Sequence, residues 1–204
     1  LEAFKSMYGE DPFYSWFGLD NPVLYAAHKA AGGITSLYRQ IGLGCEEVFR
    51  QVLQDKLGLT PEQVAWSYEI TTPDGRTRTL SLDGRIVYRH ILNPKHRQRI
   101  KKWVQDFSSR LDVAPKIAQA LDGAVFEVRQ GYKSKDSKRQ NADISNISSA
   151  YARGYLPVFT VLSTQIDNDI AARYRNNKCP VLIGSLAESP FHSTYAFCKE
   201  IVGY

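Results

Sequence analysis

An acidic and a basic side chain lie two positions apart in an apolar segment near the middle of the chain. Arg129 follows Glu127 after one residue, and the other neighbours of Glu127 are apolar: Val125, Phe126 and Val128. In a β-strand, residues two apart project from the same face, roughly 6–7 Å from each other along it. A carboxylate in such surroundings needs a cation as its partner. The pair therefore predicts either a structural ion pair or a site where a metal ion and a cation act together on a phosphate group.

A second carboxylate, Asp83, ends a predicted strand and precedes Gly84. A side chain at the end of a strand can reach a cleft without burying its charge. Two carboxylates from neighbouring strands suit Mg²⁺, which takes oxygen ligands and keeps several waters. We therefore predict that Asp83 and Glu127 bind Mg²⁺. The alternative for Asp83 alone is an aspartate that closes a hairpin turn.

The elements that must position these residues follow from hydrophobic spacing and from turn residues. Residues 1–33 are aromatic and rich in breaks, so we expect an irregular N-terminal segment that wraps the core. From residue 34 onward the pattern predicts one domain. Its expected helices span 34–57, 95–111, 114–121, roughly 144–152 and 167–176, and its expected strands span 66–70, 77–82, 85–88, 124–130, 155–162 and 181–183.

The strand, helix and strand between residues 124 and 162 form a crossover unit, which predicts two parallel strands. The two strands before residue 83 read as an antiparallel hairpin around Pro73-Asp74-Gly75. The expected fold is therefore α/β, with a mixed central sheet flanked by helices. Asn141, Asp143 or Ser145 is the expected N-cap of the helix inside the crossover.

A cationic run follows the Glu127 strand and lies where it could hold a polyanion. Its basic residues alternate with amides and hydroxyls, and amides can pair with adenine. The predicted nucleic-acid contacts are Lys133, Lys135, Lys138, Arg139, Gln140 and Asn141. A solvated loop without a partner is the alternative, because charge runs are often only that.

Composition narrows the class of protein. The 204 residues carry a formal net charge of +5, which is compatible with a polyanionic partner. No apolar run is long enough to span a membrane. The three cysteines have no metal-type spacing and are an odd number, so we expect a reducing, cytoplasmic environment rather than a disulfide framework.

The pattern Asp83…Glu127-x-Arg129, followed by a helix and a parallel strand, resembles the PD-(D/E)xK nuclease superfamily. The runs EVRQGYKSKDSKRQNADI and YLPVFTVLSTQID more narrowly resemble type II restriction endonucleases of the ApaLI-like family, over roughly residues 30–204. The resemblance implies a restriction-endonuclease-like nuclease domain over 34–204 that cleaves double-stranded DNA at a specific site with Mg²⁺. It also places Glu46, on the first helix, among the catalytic residues.

Two departures from the superfamily pattern leave alternatives open. Leu82 stands where a proline usually precedes the motif Asp, and Arg129 stands at the usual Lys. Since arginine stays protonated, its role would be electrostatic. Gln130 or Lys133 would fill the Lys place if the strand bulged.

A homodimer is expected, because cutting both strands with so small a unit needs two active sites. The competing functions are a non-specific or repair-type nuclease of the same fold and a non-catalytic DNA-binding module.

Overall fold

A computed structural model of the chain describes residues 21–71, 75–132 and 137–204, together with the single residues 6, 12 and 16. The chain divides into two compact units, Leu1–Leu43 and Gly44–Tyr204. All of the candidate catalytic residues belong to the second unit. None of the helices in the described parts of the chain combines the length and apolar character that crossing a bilayer requires.

Seven helices and six strands are assigned over the described ranges. The helices are α1 Pro22–Leu57, α2 Pro61–Val64, α3 Pro94–Arg110, α4 Pro115–Gln119, α5 Ser137–Ala152, α6 Asn168–Asn176 and α7 Thr194–Ala196. The strands are β1 Trp66–Thr71, β2 Thr77–Leu82, β3 Gly84–Val87, β4 Gly123–Arg129, β5 Tyr155–Val161 and β6 Val181–Leu182. A 3₁₀ turn, Tyr88–His90, follows β3, and a π-helical turn, Phe197–Val202, follows α7.

The central sheet has the order β3-β4-β5-β6 within the described residues. β3 is antiparallel to β4, whereas β4, β5 and β6 are parallel to one another. β1 and β2 form a separate antiparallel hairpin. The predicted mixed α/β sheet flanked by helices is confirmed, and so are the crossover from β4 through α5 to β5 and the hairpin that ends before residue 83.

β4 is the central strand of the candidate site, and its two faces pack differently. Phe126 and Val128 face the main core, which includes Trp103 and Val104 of α3. Val125 faces the other way and packs with the hairpin. Because side chains alternate along a strand, Glu127 and Arg129 share the Val125 face. The strand is therefore covered on both sides, as its apolar sequence predicted.

α1 begins earlier than its hydrophobic pattern predicted. The backbone N–H groups of Val23 and Leu24 donate to the side chain of Asn21, at 3.1 Å each, and Pro22 is the first helical residue. Asparagine before proline is a favourable helix start. Residues 22–33 are consequently helical, which corrects the expectation of an irregular segment for that part of 1–33; nearly all of residues 1–20 lie outside the described residues.

α5 also begins earlier than expected, and the predicted N-caps are wrong. Asn141, Asp143 and Ser145 all lie inside the helix Ser137–Ala152. The buried face of this helix includes Gln140, Asp143 and Ile147, which are spaced three and four residues apart. The first two of these side chains are polar. A hydrophobic pattern cannot show a helix whose buried face is polar.

Candidate active site

Glu127 and Arg129 form an ion pair on the face of β4 that is covered by α5. Arg129 Nη2 contacts Glu127 Oε1, and the side chains are 23% and 14% exposed, respectively. The structural alternative that the sequence left open is therefore present in the structure. Arg129 Nε is buried without a hydrogen-bond partner. The guanidinium is thus held mainly through one of its terminal nitrogens.

Asp83 joins β2 to β3 and is attached to β4 by two hydrogen bonds. Its backbone N–H donates to the carbonyl oxygen of Phe126 at 2.8 Å, and its Oδ2 accepts from the backbone N–H of Val128 at 2.7 Å. These two bonds bracket Glu127. Asp83 lies at the opposite end of β2 from the hairpin turn, so it does not close that turn.

Burial raises the pKa of the Asp83 carboxyl group above its ordinary value. The hydrogen bond from Val128 and the positive charges of Arg129 and Arg50 act in the opposite direction, and the negative charge of Asp143 adds to the increase. A carboxylate kept partly from water, with cations nearby, is typical of sites that bind a metal ion or move a proton.

Glu46 lies on α1, close enough to the other two elements to interact with them electrostatically. Burial is the main cause that raises its pKa, and the charge of Asp83 raises it further. The charges of Arg50 and Arg129 oppose this increase. Glu46 and Asp83 line the same cleft, and a catalytic role for Glu46 stays a prediction.

Arg50 is a site residue that the sequence did not single out as one. It forms an ion pair with Glu47 at 2.9 Å, and its Nη1 donates to the carbonyl oxygen of Asp83 at 3.2 Å. Glu47, and not Glu46, is the ion-pair partner of Arg50. Arg50 also connects α1 to the backbone of Asp83.

Asp143, on α5, completes the surroundings of Arg129. Arg129 Nη2 lies 3.9 Å from Asp143 Oδ1. The hydroxyl of Tyr174 donates to Asp143 Oδ2 at 2.7 Å and lies 3.3 Å from the hydroxyl of Tyr132. Asp143 was expected only as a helix cap. The signal that could have found it is its position between Gln140 and Ile147 on one helical face.

Four carboxylates act electrostatically on the Arg129 guanidinium. Burial is the largest single effect on the pKa of Arg129, and it lowers this pKa. The negative charges of Glu127, Asp143, Asp83 and Glu46 raise it, and together they outweigh burial. They come from α1, the β2–β3 junction, β4 and α5. Arg129 is therefore the electrostatic centre of the site.

An open cleft of about 740 Å³ gives access to part of this cluster. Glu46, Arg50 and Asp83 line it, together with residues of α2 and of the hairpin. Glu127 lines instead a small cavity of about 20 Å³ with Asp143 and with apolar residues of β5. A cavity of that volume holds about one water molecule. Asp83 and Glu46 thus face the cleft, and Glu127 lies behind them.

The donor set has the chemistry that Mg²⁺ prefers. Asp83 and Glu127 offer carboxylate oxygens, and Mg²⁺ is commonly held by one or two carboxylates, waters and a substrate phosphate. No group of three His, Cys, Asp or Glu residues suited to a metal ion occurs among the residues that the structure describes. The two acids fit the ion, provided that Glu127 exchanges its contact with Arg129 for one with the metal.

β4 ends at Arg129, and Gln130 lies in a bend that follows it. The backbone N–H groups of Leu162 and Ser163 donate in succession to the carbonyl oxygens of Arg129 and Gln130, at 2.9 and 3.0 Å. Arg129 is the last residue of the strand and shares the face of Glu127, and Gln130 stays an alternative for the Lys place. Lys133, the other alternative, lies outside the described residues.

The structure describes only part of the cationic run. Lys133 and Lys135 lie outside the described residues, and so does the side chain of Arg139. Lys138 is exposed on the first turn of α5.

Gln140 and Asn141 both accept hydrogen bonds from Arg173 of α6. Arg173 Nη1 lies 2.6 Å from Gln140 Oε1, and Nη2 lies 2.7 Å from Asn141 Oδ1. Gln140 is only 7% exposed. This placement favours a structural role for Gln140, which connects α5 to α6, over the predicted contact with a base.

Comparison with known proteins leaves the family of this chain unassigned. No protein-family model, no curated protein and no solved structure matches it. A fold class alone does not define an activity, so function has to be inferred from the site.

Proposed function

We propose that this protein is a Mg²⁺-dependent endonuclease that cuts double-stranded DNA at a specific site, in the manner of type II restriction enzymes. The observation that carries the proposal is the pair of hydrogen bonds by which Asp83 brackets Glu127 on β4. Glu127 is paired with Arg129, and Asp83 and Glu46, from different elements, line one open cleft. Acids that meet a cation next to an open cleft support chemistry on a charged substrate.

Each residue has a role that follows from its position. Asp83, which faces the cleft, and Glu127, behind it, would hold the metal ion. Bound Mg²⁺ would polarise the scissile phosphorus–oxygen bond and lower the pKa of the attacking water. Arg129, fixed among carboxylates, would stabilise the negative charge that develops on the phosphate. Glu46 would orient the water by accepting its hydrogen bond.

DNA would enter along the cleft, and the cationic run would contact its backbone. Lys138 is exposed at the start of α5, the helix that packs over Glu127. Such phosphate contacts position a duplex but do not read its sequence. Two copies of the chain, one active site for each strand, would complete a double-strand cut. A cytoplasmic location is part of the proposal.

Cleavage of a supercoiled plasmid with Mg²⁺ and with EDTA tests the proposal. Asp83→Asn and Glu127→Gln keep the shape of the side chain and remove its charge, so each should reduce cutting by at least about 100-fold. Glu62→Gln is the matched control, because Glu62 is an exposed acid on the same cleft. Undiminished Mg²⁺-dependent cutting by both site variants would refute the assignment.

The pattern of products separates site-specific cleavage from the activity of a repair-type or non-specific nuclease of the same fold. Long DNA digested by the wild type should give discrete bands. A smear would replace the restriction assignment with a non-specific nuclease that uses the same residues.

A second candidate, a DNA-binding module without catalysis, is favoured by one observation: the Glu127 carboxylate is already paired with Arg129. Salt-sensitive DNA binding that is independent of metal, with no cleavage under any divalent cation, would support this candidate.

A further inference from the structure

Arg129 and a metal ion would compete for the same carboxylate. Arg129 Nη2 contacts Glu127 Oε1, the oxygen donor that the proposed function gives to Mg²⁺. A guanidinium released from Glu127 would remain largely buried with its charge, at a large cost in free energy unless a second anion is within reach. The structure therefore has to offer Arg129 another partner.

Asp143 is placed to be that partner. Its Oδ1 lies 3.9 Å from the same Nη2 of Arg129, which is beyond a strong hydrogen bond but within an ion pair. A small movement of the guanidinium toward α5 would convert this contact into a direct one. The residue is only 8% exposed, so water does not compete for it effectively.

The other oxygen of Asp143 is already fixed. Tyr174, buried in the core between β5 and α6, donates its hydroxyl proton to Asp143 Oδ2 at 2.7 Å. The ring of Tyr174 stacks on Phe159 with its centroid 4.6 Å away. Because that ring is held by packing, its hydroxyl orients the carboxylate and leaves Oδ1 directed at Arg129.

We propose that Asp143 is the positioning residue of this site: it takes over the Arg129 guanidinium when Glu127 turns to a divalent cation. This inference rests on the proposed function, since it assigns the exchange to the same metal site. Asp143 itself touches neither metal nor DNA. Its effect is to make Glu127 available and to keep the cation of Arg129 beside the phosphate.

Titration calorimetry with Mn²⁺, without DNA, tests the exchange independently of cleavage. Asp143→Asn keeps the volume and the acceptor for Tyr174 but removes the anion that receives Arg129. We expect the Mn²⁺ affinity to fall roughly tenfold, within the range of couplings measured between residues in contact. Tyr174→Phe, which frees Asp143 to turn, should lower it by a smaller factor in the same direction.

The Arg129→Gln background separates exchange from simple loss of negative charge. With Arg129 replaced, its guanidinium no longer competes with the metal for Glu127, so adding Asp143→Asn should change the Mn²⁺ affinity by less than about twofold. Glu47→Gln, in the wild-type background, is the charge control, because Glu47 lines the cleft but is paired with Arg50. Thermal melts of each variant show whether it is folded before titration.

The outcomes are distinct from those that test nuclease activity. An unchanged Mn²⁺ affinity in Asp143→Asn would overturn the inference even if the wild type cuts DNA. An equal loss with and without Arg129, or a wild type that binds no Mn²⁺, would overturn it as well. The expected coupling in a protein that never cuts DNA would uphold the exchange and refute the nuclease.

Discussion

Asp83 Oδ2 accepts a hydrogen bond of 2.7 Å from the backbone N–H of Val128, the residue between Glu127 and Arg129. A carboxylate from one element therefore satisfies a backbone donor in the middle of the strand that carries the rest of the site. The Asp83 side chain thus has two assigned roles: it accepts a structural hydrogen bond, and it is a proposed ligand of the metal ion. These two roles can be separated experimentally.

Replacing Asp83 by alanine or by asparagine should have different effects on stability. Asp83→Ala leaves the buried N–H of Val128 without an acceptor, at a cost of about 1–3 kcal/mol in the free energy of unfolding. Asp83→Asn can keep the bond through its amide oxygen and should lose clearly less. Urea unfolding of the two variants measures the difference. Equal losses would mean that the bond contributes little.

The pH dependence of stability should contain a contribution from Asp83. Burial raises its pKa above the ordinary value of 3.8, so the folded chain keeps a proton that the unfolded chain has already lost. Stability therefore falls as the pH rises from 3.8 to the raised pKa. Urea midpoints between about pH 4 and pH 7 should show this decrease in the wild type and less of it in Asp83→Asn. Parallel curves for the two proteins would contradict the shift.

Arg129 should matter to cleavage through its charge. Arg129→Gln should reduce plasmid cutting by roughly 10²–10³-fold, which is typical of removing one group that stabilises developing charge. Arg129→Lys restores a cation and should retain more activity than Arg129→Gln. Gln130→Ala tests the alternative position, because Gln130 follows β4 in a bend, and it should cut within a few-fold of the wild type. A large loss in Gln130→Ala alone would move the catalytic position to that residue.

Gly123 should tolerate no side chain, since it begins β4 opposite β3. A Cβ at this position would overlap the carbonyl oxygen of Ile86. Gly123→Ala should therefore destabilise the protein by about 1–3 kcal/mol and loosen the β3–β4 pairing that holds Asp83. Gly44→Ala is the matched control, because a Cβ there meets nothing within 4 Å. It should stabilise α1 by up to about 1 kcal/mol. Thermal melts compare the two.

Lys138 should contribute a phosphate contact without sequence preference. Removing it in Lys138→Ala should lower DNA affinity similarly for all sequences and reduce the slope of log K against log salt by about one. Lys116→Ala, an exposed lysine on α4, serves as the control. An identical salt slope in both variants would remove Lys138 from the DNA contacts.

The parts of the site that could be predicted from sequence are those that follow an alternating pattern. Glu127 and Arg129 interrupt an apolar strand, and a charge there needs a partner whatever the fold. The ladder around β4 then fixes their common face. The turn residues Asp83-Gly84 correctly indicated where one strand ends and the next begins. They could not indicate the hydrogen bond between Asp83 and Val128, because these residues are far apart in the sequence.

The parts that could not be predicted depend on buried polar residues. Asp143 lies on a helix turn where the inward side chains are polar, and its partner Tyr174 is 31 residues away in the sequence. Helical spacing could place Asp143 on the buried face of its helix, but it could not identify Tyr174 as the partner, because the two are joined by a hydrogen bond between distant elements. The start of α1 was missed for a different reason, since Asn21-Pro22 serves equally well as a break and as a cap.

Asp83 is the only residue between β2 and β3, which belong to different sheets. A connection of one residue has no slack, so the hairpin cannot tilt without turning the backbone of Asp83 itself. Any difference in the angle between the hairpin and the central sheet therefore has to be taken up by the backbone dihedral angles at this one aspartate and its immediate neighbours.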